Sequence, residues 1–495
     1  MIKYIEKLTY LLEVNMTVTR FAPSPTGYMH IGNLRTALYS FLIAKHSDGK
    51  FILRIEDTDR ERLVEGATDV IKKTLAITGL KYDEGPDVGG DHGPYVQSER
   101  KEIYMEYAKK LVDMGAAYYC FCTKERLEKL HEDDATGGYD RHCRELSKEE
   151  VEKNLAAGVP FVIRQKMPLD GVTSYTDSVF GEISMNNKEL QDQILMKADG
   201  YPTYNFCHVV DDHLMGVTHV VRGSEYLTST PKYVLLYDAF GWERPTYVHL
   251  PLLMGKNEDG SVSKLSKRHG AVSFEDLLNQ GYLSDAIINY IALLGWCPKN
   301  SETEFFNLDE LKAAFTIDGV SKSPAVFDFE KLLWFNGEYI HKLDDEEFKT
   351  AVTPFIKLEI PQNIKKDKML ALLKTRIQTL SEITEKMSFF ITLPEYDKEL
   401  FLNKKNKISD FDTVSTVLNA TKEVLSSIEA FDNDTLFEKL SPLTEKLGLK
   451  TGAIMWCIRI AVSGMSATPG GATEIMEVIG KEESLARIYV ALSKL

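Results

Sequence analysis

The segment RFAPSPTGYMHIGN, residues 20–33, constrains the fold of this chain more than any other stretch. The residues TVTRFA that lead into it alternate as a strand does, and the residues after it place Leu34, Leu38 and Phe41 at helical spacing. The segment therefore predicts a strand, a turn and a helix N-terminus. Unpaired backbone N–H groups and the positive end of the helix dipole favour an anion there, phosphate above all. The first prediction is a nucleotide site.

Two common phosphate loops are missing from the sequence. It contains neither G-x-x-x-x-G-K-[ST] nor any G-x-G, so the predicted site is of neither the Walker nor the dinucleotide type. What remains is His30 and Gly32 at the helix start, together with a distant basic loop, KLSKR, at Lys264–Arg268. Lysines in a polar loop are usually only solvated. The loop becomes informative because it occurs together with the His30 segment.

Length and composition are those of a globular protein with two or more domains. The chain has 495 residues, of which 43% are hydrophobic and 27% charged. Its net charge of -15 argues weakly against a chain coated in nucleic acid, but local basic patches decide binding more than the total does. The six cysteines do not form a disulfide framework, and no apolar run approaches the roughly 20 residues of a membrane span. We expect a cytoplasmic protein with no membrane partner.

The first fifteen residues, MIKYIEKLTYLLEVN, precede Met16 and the predicted strand. They carry too many charges for a secretory signal. We predict that residues 1–15 are an upstream-start extension, because Met16 immediately precedes the predicted strand. The alternative is a short amphipathic helix packed on its surface.

The two parts of the chain differ in pattern. Up to about Trp296, β-rich runs such as KFILRIED and TYVHLPLLMG are mixed with helical stretches, which is typical of α/β proteins. From about Phe305 the patterns are helical with almost no strand signal. We therefore predict an α/β region followed by an all-α unit.

Several motifs together resemble one known family. PSPTGYMHIGN and the downstream KLSKR resemble the HIGH and KMSKS signatures of class I aminoacyl-tRNA synthetases. The segments IEDTDR, YPTYNF, VVDDHLMGVTHVVRGSEYLTSTP and KLLWFNGEYI are similar to those of the glutamyl-tRNA synthetases, and the resemblance runs from Met16 onward. Asn33 stands at the fourth HIGH position, a departure common in this subgroup.

This resemblance implies a doubly wound, Rossmann-like α/β catalytic core with an inserted domain and an all-α anticodon-binding domain. The helical C-terminal part favours glutamate over glutamine, because glutaminyl enzymes usually carry β-barrels there. The predicted divisions are an extension (1–15), the first half of the core (16–97), the inserted acceptor-binding domain (98–198), the second half of the core with the KLSKR loop (199–268), a stem-contact region (269–340) and the anticodon-binding domain (341–495).

The implied reaction uses ATP and Mg²⁺ to join L-glutamate to tRNA-Glu through a glutamyl adenylate. No enzyme nucleophile is needed, because the enzyme holds two anions in line and neutralises charge on the phosphates. The implied catalytic residues are His30, Lys264 and Lys267. The implied ATP contacts are Gly27, His30, Gly32, Asn33, Glu225 and Lys267, with the glycines allowing close approach of adenine and backbone.

The resemblance also implies an amino-acid site. Its residues in this sequence are Arg20, Ser24, Glu56, Tyr204, His208 and Arg222. Glu56 suits the ammonium group, while Arg20 and Arg222 suit the two carboxylates. The sequence leaves open which arginine takes which carboxylate.

Three cysteines resemble a zinc site found in some members of the family. Cys120 and Cys122 form a CFC pair, and Cys143 follows about twenty residues later. A structural zinc needs four ligands. The residues considered for the fourth position are Glu145, His142 and His131. We expect three free thiols, with zinc as the alternative.

The expected partners are L-glutamate and tRNA-Glu, with Arg376 near a position implicated in anticodon reading. One alternative is a nondiscriminating enzyme that also glutamylates tRNA-Gln. Another is an inactive synthetase-like RNA-binding protein, which predicts eroded signatures, whereas both are intact here. We expect a monomer.

Overall fold

The computed structural model describes residues 16–133, 138–270, 273–299 and 302–495. The predicted extension at residues 1–15 lies outside them. Two compact units are present. The first comprises the described residues up to Leu277 together with Ile287–Asp328, and the second comprises Leu278–Ala286 and Phe329–Leu495.

The strands and helices of the described residues follow in chain order. The strands are β1 Val18–Phe21, β2 Lys50–Leu53, β3 Ala117–Cys120, β4 Val162–Gln165, β5 Val172–Asp177, β6 Gly181–Asn186, β7 Ile194–Met196, β8 His219–Gly223, β9 Thr246–Leu250, β10 Leu253–Lys256, β11 Val262–Lys264 and β12 Ala325–Phe327. The helices are α1 Ile31–His46, α2 Ala67–Ile77, α3 Lys101–Asp113, α4 Lys124–Asp133, α5 Lys148–Ala156, α6 Tyr204–Leu214, α7 Thr230–Phe240, α8 Phe274–Asn279, α9 Ser284–Ala292, α10 Leu308–Ala314, α11 Phe329–Lys342, α12 Asp345–Val352, α13 Lys366–Lys374, α14 Ile383–Ile391, α15 Phe411–Ser427, α16 Asn433–Leu440, α17 Leu443–Leu447, α18 Thr451–Ser463, α19 Ala472–Ile479 and α20 Lys481–Lys494.

Parallel strands form the centre of the first unit. Strand β1 pairs in parallel with β2, and β8 pairs in parallel with β9 within the sheet β6-β5-β9-β8. The two sheets meet where the backbone N–H of Thr218 donates to the Val18 carbonyl at 2.9 Å. In sheets of this kind ligands bind outside the carboxyl ends of the strands. A ligand site is therefore expected at the carboxyl ends of β1 and β8.

Helix α1 begins at the carboxyl end of β1, as the sequence predicts. Leu34, Leu38 and Phe41 are all buried, so the helix packs its apolar residues inside the unit. The helix starts at Ile31, and the His30 side chain caps it. The predicted strand, turn and helix are confirmed.

The predicted inserted region contributes to two sheets. The antiparallel sheet β3-β4-β7 lies within residues 98–198. Strands β5 and β6 fall in the same range, yet β5 pairs with β9 through Asp177 and Tyr247. Such a pairing joins residues 70 positions apart, and local sequence pattern does not disclose it.

The second unit is helical throughout its described residues, as predicted. Its core is a single cluster of buried aliphatic and aromatic side chains from α11 to α20, among them Phe348, Ile383 and Ile458. Capping boxes begin several helices, as where Asp344 and Glu347 bond each other's backbone N–H groups. Across the described residues, no helix has both the length and the apolarity needed to cross a bilayer.

Candidate active site

A cavity of about 540 Å³ lies at the carboxyl ends of β1 and β8, beside the N-terminus of α1. The structure brings most of the sequence-predicted residues to it. Those lining the cavity are Arg20, Ser24, His30, Gly32, Asn33, Glu56, Tyr204, Arg222, Glu225 and Lys264. Groups predicted for ATP and groups predicted for glutamate therefore share one pocket.

The other predicted residues lie elsewhere. Gly27 belongs to the turn before α1 with φ +131°, and a Cβ built on it meets nothing within 4 Å. Its positive φ favours glycine in this turn. His208 lies behind the cavity wall, Arg376 is in the second unit, and the cysteines are in the region of β3. The side chain of Lys267 lies outside the described residues.

His30 is the N-cap of α1. Its Nδ1 accepts a hydrogen bond from the Gly32 N–H at 3.1 Å, which places the proton of the neutral imidazole on Nε2. The imidazole therefore presents an N–H beside the first turn of the helix, where anions are favoured. A Cβ on Gly32 would lie 3.4 Å from His30 Nδ1, in ordinary van der Waals contact with the capping ring.

The basic loop approaches the same cavity. Lys264 ends β11, and its Nζ lies 3.8 Å from Glu225 Oε1, with both side chains largely exposed. The His269 ring fixes the backbone of the loop, because its Nδ1 accepts from the Ser266 N–H at 3.0 Å. An exposed ion pair of this kind is weak. Lys264 can therefore exchange Glu225 for a phosphate at little cost.

Arg222, at the end of β8, is buried without a carboxylate partner. Its guanidinium bonds neutral groups: Nε donates to His249 Nε2 at 3.3 Å, Nη1 to His208 Nε2 at 3.4 Å and Nη2 to Thr230 Oγ1 at 2.9 Å. The rings around it are those of Tyr226, Tyr233 and Tyr247. Among the described residues no carboxylate oxygen lies within 4 Å of it. Its charge is available to an anionic ligand.

Arg20 differs from Arg222 in this respect. Its Nε and Nη2 bond the two carboxylate oxygens of Asp212 at 2.9 and 3.2 Å. Burial would raise the pKa of Asp212, but Arg20 and Arg54 hold it well below its usual value. The charge of Arg20 is therefore already matched inside the protein.

A buried ion network supports this wall of the cavity, and sequence reasoning missed it. Arg54 is fully buried and bonds Glu56 at 3.0 Å and Asp212 at 2.8 Å, with Asp211 at 3.6 Å. Burial alone would lower the pKa of Arg54, but Asp212, Asp211 and Glu56 together raise it well above its usual value. Arg100 also bonds Asp211, at 2.7 Å. Charges inside the apolar runs KFILRIED and NFCHVVDD are the sequence signal that could have found it.

Glu56 is the acidic member of the network that faces the cavity. Burial raises its pKa, while Arg54 and Arg20 oppose that shift. One oxygen, Oε1, accepts from Arg54. An ammonium group entering the cavity would favour the ionised carboxylate.

His208 supports Arg222 rather than lining the cavity. Its Nδ1–H donates to the Tyr204 carbonyl at 2.7 Å, which leaves Nε2 to accept from Arg222. Burial, together with the nearby Arg222 charge, lowers the pKa of His208 to about 3. The imidazole is neutral at physiological pH and stacks on Tyr204.

The three cysteines come together at the end of β3. The sulfur atoms of Cys120, Cys122 and Cys143 lie within 4.8 Å of one another. Tyr139 Oη lies 3.2 Å from Cys120 Sγ and 3.7 Å from Cys122 Sγ. Tetrahedral zinc bound to thiolates spaces neighbouring donor atoms about 3.8 Å apart. The donor set fits zinc, with Tyr139 in the fourth position, a residue that sequence reasoning did not consider.

The chain is similar to proteins of known family. Residues 16–334 match the model of the family "tRNA synthetases class I (E and Q), catalytic domain", and residues 338–492 match an anticodon-binding domain. The chain belongs to this synthetase family. The synthetase is 55% identical to the glutamate–tRNA ligase of Clostridium tetani over 97% of the chain and 98% of that protein. It is 54% identical to that of Clostridium kluyveri over 96% and 98%.

Solved structures of similar proteins have the same fold. A glutamate–tRNA ligase of Elizabethkingia meningosepticum in complex with its amino acid is 36% identical with a TM-score of 0.89, over 97% of the synthetase and 100% of that chain. The glutamate–tRNA synthetase of Elizabethkingia anophelis is 35% identical with a TM-score of 0.88, over the same shares. The predicted family and fold class are confirmed.

Proposed function

We propose that this synthetase is a glutamate–tRNA ligase. The observation that carries the proposal is the pairing of Arg222, a buried cation without a carboxylate partner, with Glu56 on the wall of one cavity. A carboxylate and an ammonium of one small amino acid match these two groups. The N-terminus of α1 lies beside them and suits the phosphates of ATP.

In the first step a glutamate α-carboxylate oxygen forms a bond to the α-phosphorus of ATP, and pyrophosphate leaves. His30 donates from Nε2 to a phosphate oxygen, and Lys264 supplies positive charge, in our proposal with Lys267. Mg²⁺, when bound with ATP, would supply further positive charge for its phosphates. In the second step a hydroxyl of the terminal tRNA ribose attacks the carbonyl carbon of the adenylate, and AMP leaves. Losing one preorganised donor typically costs about 10²- to 10³-fold in rate.

The two carboxylates of glutamate need two different partners. We assign one of them to Arg222, because Arg20 is already bonded to Asp212. Arg20 then holds its part of the pocket wall in place through this ion pair. Tyr204 and Ser24 complete the wall of the amino-acid pocket, and His208 acts through Arg222.

We propose that tRNA contacts are divided among the regions given by the sequence: acceptor binding by residues 98–198, stem contact by 269–340 and anticodon reading by 341–495. In the second unit Arg376 is exposed, and its Nε donates to the Pro469 carbonyl at 3.2 Å. Its other guanidinium nitrogens can stack on or bond an unstacked base.

Aminoacylation with labelled glutamate on purified tRNA-Glu and tRNA-Gln tests the proposal. Charging of tRNA-Glu is expected, with release of AMP and pyrophosphate. Charging of both tRNAs would identify a nondiscriminating enzyme. Charging of neither, in a protein that still binds tRNA-Glu, would contradict ligase activity and favour the inactive RNA-binding alternative.

We also propose that Cys120, Cys122, Cys143 and Tyr139 hold a structural zinc ion. When bound, the metal would cross-link the loops that follow β3 and contribute directly to folding. This proposal replaces our expectation of three free thiols, because the three sulfur atoms lie together and Tyr139 Oη lies beside two of them.

Metal content tests this proposal. The purified protein is expected to contain about one zinc per chain by mass spectrometry, and Cys143→Ser is expected to lose it, because three ligands hold zinc far less tightly than four. Cys297→Ser is the matched control, since Cys297 is exposed and outside the cluster. Equal zinc content in both variants, or none in the wild-type protein, would show that these residues are not a zinc site.

A further inference from the structure

The neighbour of Arg222 in the sheet is His249. In the parallel pairing of β8 with β9, Arg222 and His249 are register partners. Their side chains meet on one face, where Arg222 Nε lies 3.3 Å from His249 Nε2. Because the arginine nitrogen carries the hydrogen, His249 Nε2 is the acceptor.

Asp177 sets the form of His249 that can accept this bond. His249 Nδ1 lies 2.6 Å from Asp177 Oδ2, and both side chains are fully buried. The histidine Nδ1–H donates to the carboxylate, so the proton of the neutral ring is on Nδ1 and Nε2 presents a lone pair to Arg222. Burial lowers the pKa of His249, which keeps the ring neutral.

The backbone holds Asp177 in place at the end of β5. Its Oδ1 accepts from the N–H groups of Val179 and Phe180 at 2.9 and 2.8 Å, and its Oδ2 also accepts from the His249 N–H at 3.1 Å. Four N–H donors therefore satisfy the carboxylate. A continuous series of hydrogen bonds therefore runs from the backbone through Asp177 and His249 to Arg222.

We propose that His249 and Asp177 are positioning residues for glutamate, because they fix the Arg222 guanidinium through a neutral imidazole. The inference rests on the proposed function and deepens it. A carboxylate placed directly on Arg222 would orient it equally well but would compete with the substrate, as Asp212 does at Arg20. An imidazole acceptor orients the cation and leaves its charge to the ligand.

Two substitutions of His249 test its hydrogen bond to Asp177 and its hydrogen bond to Arg222 separately. In His249→Asn the amide takes the place of Nδ1 and can still donate to Asp177, but the acceptor for Arg222 is gone. In His249→Gln the side-chain oxygen reaches the place of Nε2 and restores that acceptor. Thr173→Val is the matched control, because it removes a buried side-chain bond to Asn187 on the same strand as Asp177 without touching Arg222.

Aminoacylation kinetics on tRNA-Glu supply the main readout. His249→Asn is expected to raise KM for glutamate by about 10-fold or more, since a hydrogen bond to a charged group is lost, with KM for ATP little changed. His249→Gln is expected to recover most of the glutamate affinity. Thr173→Val is expected to lower the melting temperature without changing KM for glutamate.

The result that would overturn the inference is a His249→Asn enzyme that loses melting temperature as Thr173→Val does while keeping its KM for glutamate. If Arg222→Ala impairs glutamate use in the same assay, an unchanged KM of His249→Asn rejects the positioning role alone. If Arg222→Ala also has no effect, the assignment of Arg222 to a glutamate carboxylate is rejected instead. The ¹⁵N shifts of labelled histidine in the wild-type protein give an independent test, because they distinguish the tautomers. A proton on Nε2 of His249 would contradict the inference even if the variants do not fold, because Nε2 could not then accept a hydrogen bond from Arg222.

Discussion

Replacing Arg222 with alanine is expected to lower kcat/KM for glutamate, which corresponds to a loss of about 3 kcal/mol or more of transition-state stabilisation. The reason is that charge-assisted bonds to a substrate carboxylate are lost in a buried site. If Arg222 holds the side-chain carboxylate, the ratio of kcat/KM for glutamate to kcat/KM for glutamine should fall at the same time. Glutamine has nearly the same size and shape, so the pocket cannot separate the two by volume. A site built for one polar partner can reject its near-isostere by roughly 10⁴-fold.

The comparison variants for this experiment follow from the structure. Arg222→Lys keeps the charge but loses the planar fork, so it should fall between wild type and alanine. Arg244→Ala removes an exposed arginine paired with Asp238, outside the cavity, and should leave glutamate kinetics unchanged. KM for ATP serves as the internal reference. If Arg222→Ala loses neither glutamate use nor selectivity, Arg222 is a structural residue and the same test passes to Arg20.

Replacing Arg54 with methionine is expected to destabilise the first unit by about 3–5 kcal/mol, since buried carboxylates lose the cation that compensates them. Arg54 is fully buried and joins Glu56, Asp211 and Asp212. Calorimetry should show the change as a lower melting temperature. Arg244→Met is the matched control, because exposed ion pairs contribute only about 0–1 kcal/mol. Equal melting temperatures for wild type and Arg54→Met would show that the network contributes nothing net to stability.

The features predicted correctly from the sequence are those carried by local pattern. The turn at residues 20–33 and the apolar spacing after it predict β1 and α1, which place His30 at the helix start. The motifs resembling a known family then select ten residues that line one cavity. Both kinds of signal are contained in short segments.

The features that escaped prediction depend on contacts between distant segments. The sequence does not show that Arg20 bonds Asp212, which lies 192 positions away. Nor does it show that His208 bonds both the Tyr204 carbonyl and Arg222. Tyr139 was missed because sequence reasoning sought a fourth ligand among acidic and histidine side chains, whereas the fold places a phenol beside Cys120 and Cys122.

A crystal structure of the protein with bound glutamate tests the central claim most directly. We expect one carboxylate within about 3 Å of the Arg222 guanidinium, with the ammonium group against Glu56, and with Arg222 still bonded to His249. Glutamate bound away from this cavity, or bound in it while Arg222 contacts only His208, His249 and Thr230, would contradict the account.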